Sequence, residues 1–175
     1  ETGYILAGTY NDAIQHNKDY PALWYLPVAE LRTLYAAHPN YNEAQVSSRL
    51  SSEGLSYIGN HPGSVLRTAF WSGMRLLNLT GTTLERLYAF GEAYPLWLTT
   101  WSVYAFWVVL ALSIAGALTA AARRAPGALW AIPGVVILSA LFFEGMTRYR
   151  SPADPFFVLA AALAIATLVG RSRRA

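Results

Sequence analysis

The chain is 175 residues long, 54% hydrophobic and 13% charged, with a net charge of +3 and no cysteine. The absence of cysteine excludes a disulfide framework and a thiolate metal site. The basic balance does not argue for nucleic acid: residues 1–93 carry six basic side chains against eight acidic ones, and the later arginines gather in turns and in the tail.

Residues 1–41 are polar and aromatic, and Gly3, Gly8, Pro21, Pro27 and Pro39 predict irregular structure. A short helix is expected over Ala29–Ala37, ended at His38-Pro39 because a residue before proline avoids the helical region. Asn42, with Gln45 three residues later, reads as a capping box. It opens a helix to about Ile58 with Val46, Leu50 and Tyr57 on one stripe and serines opposite. After His61-Pro62-Gly63, a second amphipathic helix is expected over Ser64–Leu77. Its apolar side would carry Val65, Ala69, Phe70, Met74 and Leu77, its polar side Arg67, Ser72 and Arg75. Both helices are expected to lie along a membrane surface without crossing it.

Three charge-free runs follow: Ala93–Ala122, Ala125–Phe143 and Pro155–Gly170. A hydrocarbon core about 30 Å thick takes roughly 20 helical residues. The first run exceeds that, the second meets it narrowly, and the third gains length if Arg171 snorkels. Tyr94, Trp97, Trp101, Tyr104 and Trp107 crowd the start of the first run as an interfacial belt would. Pro133 and Gly134 sit inside the second, which membrane helices tolerate. The expected fold is an all-α membrane protein, with three transmembrane helices in residues 94–175 preceded by an outer segment, 1–93, of short amphipathic helices.

Orientation follows from arginine. Arg123-Arg124 between the first two runs, and Arg171, Arg173 and Arg174 in the tail, belong to the cytoplasm by the positive-inside rule. The loop with Glu144, Arg148, Arg150 and Asp154 is then outside, together with the acidic segment 1–93. This is a multi-pass cell-membrane topology. The chain begins at Glu1 without a signal peptide, so an upstream part of a longer protein is expected to deliver residues 1–93. Membrane lipid and upstream transmembrane helices, of the same or another chain, are the expected partners.

No catalytic constellation stands out. Asp12, Asp19, Glu30 and Glu43 form no acid–base pair, and His16, His38 and His61 lack metal-ligand spacing; no catalytic residue, metal or cofactor is assigned. Thr147-Arg148-Tyr149-Arg150-Ser151-Pro152 does stand out, because arginine is disfavoured in outer loops. Two guanidinium groups there suit lipid phosphate, which their planar forks bind bidentately; ordinary head-group contact or snorkelling is the competing reading.

The string Gly3-Tyr4-Ile5-Leu6-Ala7-Gly8-Thr9-Tyr10-Asn11, then Asn42-Glu43, Tyr57-Ile58 to His61-Pro62, and Arg148-Tyr149-Arg150 with Pro152 resemble the C-terminal region of bacterial membrane glycosyltransferases. These have the C-type superfold and are similar to the protein O-mannosyltransferase and aminoarabinose transferase group. The resemblance implies a polyprenyl-phosphate sugar donor, transfer on the outer face, and Arg148 and Arg150 as donor-binding residues. It also implies a catalytic aspartate in an early outer loop that no segment here matches. A non-enzymatic membrane-anchored interaction or assembly protein is the alternative. A transporter ranks last, since the charged residues that mark a pathway inside spans are missing.

Overall fold

The computed structural model describes residues 2–26, 28–91, 93–142 and 145–172, with backbone alone at Phe90, Arg171 and Ser172. Among these the chain is helical and has no strand. The helices are α1 (Thr2–Thr9), α2 (Asp12–Gln15), α3 (Val28–Ala37), α4 (Glu43–Asn60), α5 (Gly63–Leu76), α6 (Thr83–Gly91), α7 (Leu96–Ala117), α8 (Ala120–Arg124), α9 (Gly127–Leu141) and α10 (Asp154–Ser172), with a 3-10 turn at Thr147–Arg150. They sort into two compact units. The first holds the residues up to Gly73 and Ser139–Met146; the second holds Met74–Leu138 and the residues from Thr147 on. This packing boundary differs from the expected one at 93/94, which follows the end of the charged residues.

In the first unit α1 packs along α4. Gly3 makes this possible: a Cβ there would lie 1.9 Å from the Ser47 carbonyl oxygen. The expectation that Gly3 and Gly8 break the chain is therefore corrected, since both lie within α1. Asn11 then caps α2, its side chain accepting from the Ile14 N–H at 2.9 Å. Ala7, Val46 and Leu50 form the core, edged by Tyr4, Leu31, Leu34 and Tyr41. The capping box of α4 is present, with the Asn42 and Gln45 side chains each accepting from the other's N–H at 2.9 Å.

In α5 the expected faces are only partly those that bury: Ser72 and Arg75 of the polar side are buried while Arg67 is exposed, and Val65, Ala69, Met74 and Leu77 of the apolar side are half-buried. Ser64, Thr68 and Ser72, spaced four apart, are buried along with Arg75 and Leu76. Leu66 is 75% and Phe70 59% exposed. The buried stripe is the small and polar one. The Gln15 amide fills its middle, donating to Thr68 Oγ1 at 2.9 Å and to the Thr9 carbonyl at 3.0 Å.

In the second unit α7 and α10 pack against each other and run parallel. Phe106 meets Phe157 edge-on at 5.8 Å, Ser113 Oγ lies 2.6 Å from the Phe157 carbonyl oxygen, and Gly116 faces Ala160 and Ala164. A Cβ on Gly116 would lie 1.7 Å from the Ala160 carbonyl oxygen. Small residues that let backbones approach are what helix pairs in lipid use. The first apolar run does not stay one helix: α7 stops at Ala117 and Thr119 caps α8 by accepting from the Ala122 N–H at 3.2 Å. Among the described residues α7, 22 residues long, is the one helix long and apolar enough to cross a membrane. The segments Gly127–Leu141 and Asp154–Gly170 are apolar but shorter. Arg173 and Arg174 of the expected inner tail, and Glu144 of the outer loop, lie outside the described residues.

Candidate functional site

The Thr147–Arg150 turn sits directly before α10, and two of its side chains hold it. Arg150 is 6% exposed. Its Nε donates to Asp154 Oδ1 at 2.7 Å, and its Nη1 donates to the Leu76 carbonyl. Its guanidinium carbon lies 3.5 Å from the centroid of the Phe106 ring, a cation–π contact. A buried arginine is tolerable when paired in this way. Thr147 ties the other end, its hydroxyl lying 3.0 and 3.1 Å from the two carboxylate oxygens of Glu85 on α6. Burial pushes the Glu85 carboxyl above its ordinary range, opposed by the Thr147 hydrogen bond and the positive charge of Arg150.

Arg148, by contrast, is exposed. One of its terminal nitrogens lies 3.2 Å from the Tyr149 hydroxyl, and its guanidinium carbon lies 5.0 Å from that ring's centroid. Its carbonyl accepts from the Ser151 hydroxyl at 2.8 Å. The two arginines expected to act alike thus have different surroundings. Arg150 is buried against Asp154, Leu76 and Phe106, and Arg148 and Tyr149 are exposed at the surface of the turn.

Two features here were not expected. Glu85 lies 62 residues from Thr147 in sequence; its only signal is an acid in the first turn of an amphipathic helix, which any helix dipole would favour. Arg75, on the expected polar side of α5, is 3% exposed, and burial lowers its pKa to about 10. An apolar cleft of about 210 Å³ lies among α7, α9 and α10 in the same unit, with Ile114, Trp130, Pro133, Phe156 and Phe157 in its walls.

The acids Asp12, Asp19, Glu30 and Glu43 are exposed. His38 stacks on Tyr41 at 4.3 Å and His61 on Tyr57 at 4.5 Å, while His16 lies 3.2 Å from Asp12. Among the described residues no group of three or more such side chains could hold a metal ion. Comparison with protein-family models, with curated proteins and with solved structures finds no match.

Proposed function

We propose that the chain is the C-terminal part of a membrane glycosyltransferase that takes its sugar from a polyprenyl-phosphate donor on the outer face. The observation that carries this reading is the Thr147–Arg150 turn, which fixes one arginine inside and presents the other, with Tyr149, at the surface where an apolar helix begins. In this reading Arg148 meets the donor phosphate with a bidentate fork, and Arg150 keeps the turn in shape. A stretch of prenyl chain would lie along the cleft by Phe156 and Phe157.

The reading includes three spans. Parallel α7 and α10 begin on the same side, as two outward-starting spans joined by a returning α9 must. At 1.5 Å per residue α7 covers about 33 Å and α10 about 28 Å, both close to the hydrocarbon thickness. The first turns of α7, with exposed Trp97 and Trp101, rise through the interface, where such rings are favoured. The acidic segment 1–93 lies outside by the same topology, and the arginines of α8 lie inside.

The test is sugar transfer by the full-length protein, reconstituted in vesicles with a labelled polyprenyl-phosphate sugar. Transfer to an acceptor on the outer side is expected. Cysteines introduced singly at Ser151 and Ala125 should label from the outside and the inside respectively. No transfer from any polyprenyl-phosphate sugar, or the opposite labelling pattern, contradicts the proposal.

A further inference from the structure

We infer that Glu85 is a positioning residue for the Arg148-bearing turn, acting through its hydrogen bond to Thr147; this rests on the reading of Arg148 as the phosphate ligand. Two anchors of the turn, among the described residues, lie at its opposite ends. Arg150 anchors the end that leads into α10, through Asp154, the Leu76 carbonyl and the Phe106 ring. Glu85 anchors the other end through Thr147. Arg148 lies between them, one residue from the Glu85 anchor and two from the arginine anchor.

Glu85 is suited to the part because its helix is fixed. α6 packs on α7 and buries Leu84 and Ala89. An acid that merely complemented a helix dipole would stay solvated near the first N–H groups. Glu85 is partly buried and takes a hydroxyl hydrogen bond from a segment distant in sequence. Without that bond the turn keeps its anchor at Arg150, but its Thr147 end loses the tie to α6. A bidentate guanidinium contact depends on orientation more than on charge, so loosening this end should weaken phosphate binding without removing the ligand.

The experiment measures the affinity of the full-length protein in lipid nanodiscs for a polyprenyl monophosphate, together with backbone amide exchange at Ser151 and Ala153. Their N–H groups donate to the Arg148 and Arg150 carbonyls. Thr147→Val keeps the shape and removes the donor; Glu85→Ala removes the acceptor. Each should weaken affinity about tenfold, the worth of one ordinary hydrogen bond, and should speed exchange at Ser151. The double variant should be no weaker than either single one, because both break the same bond. Thr147→Ser and Glu85→Gln, which can still form it, should bind as the wild type does.

If Glu85→Ala does not fold, the contrast between Thr147→Val and Thr147→Ser decides alone. Faster exchange with unchanged affinity would make Glu85 a merely structural residue and overturn the inference, as would unchanged exchange or multiplying single effects. A wild-type protein that binds the lipid but transfers no sugar would end the transferase reading and leave this inference tested by the variants. A wild-type protein that binds no polyprenyl phosphate would end both.

Discussion

Helices α4 and α5 follow one another, and both carry an apolar and a polar face, yet they bury opposite ones. α4 turns Val46, Leu50 and Gly54 inward and leaves Ser52 and Ser56 outside, as a helix in water does. α5 turns Ser64, Thr68 and Ser72 inward and leaves Leu66 and Phe70 outside. In water that arrangement forfeits apolar burial worth about 1.5–3 kcal/mol for each large side chain. The comparison teaches that amphipathic periodicity locates two faces, and that the surroundings decide which is the inner one. A stripe of small hydroxyl side chains lets its neighbours approach closely, which suits a helix whose outer face meets lipid.

The strongest way to probe the contrast is Leu50→Ala in α4. Leu50 is fully packed among Val46, Ala7 and their neighbours, so the change should cost about 2–5 kcal/mol through lost burial and a cavity. Denaturant unfolding in mild detergent measures it. A cost near zero would mean that α4 is not held by its apolar stripe. The counterpart in α5 is Thr68→Val, which keeps the shape and adds apolar character. On an ordinary inner face it would be neutral or stabilising. Here it leaves the Gln15 amide without its 2.9 Å acceptor, and about 1–3 kcal/mol should be lost. Stability equal to wild type would contradict the polar packing of α5.

The third probe leaves stability alone and reads surroundings. The chain has no cysteine, so single spin-labelled cysteines at Phe70 and at Ser56 can be compared in vesicles. Phe70 should be accessible to lipid-dissolved oxygen and shielded from a water-soluble nickel reagent, with Ser56 showing the reverse. Strong nickel access at Phe70 would place the outer face of α5 in water and remove the lipid explanation of its exposed apolar side chains.

What the sequence made legible follows from how local each signal is. The capping box at Asn42 and Gln45 and the stop at His38-Pro39 are local, and both α4 and α3 are bounded as those residues predict. The glycines of α1 were misread because Gly3 answers to Ser47, a partner 44 residues away; close approach leaves no trace in composition. The same reason hid Glu85 and the burial of Arg75. The break after Ala117 was equally silent, since Thr119 is as uncharged as the residues around it. Of the two arginines before α10, residue type and position marked both. Only the fold separates them, because Asp154, the Leu76 carbonyl and the Phe106 ring converge on Arg150 and not on Arg148.

That separation makes the account's central claim directly measurable: Arg148 meets the donor phosphate, and Arg150 holds the turn. The measurement is the KM for the polyprenyl-phosphate donor in the full-length protein carrying Arg148→Lys, at matched expression and thermal stability. Lysine keeps the charge and loses the fork. Loss of one charge-assisted hydrogen bond, about 1.5–3 kcal/mol, predicts a KM raised about ten- to a hundredfold, with unfolding unchanged. A KM equal to that of the wild type would contradict the claim.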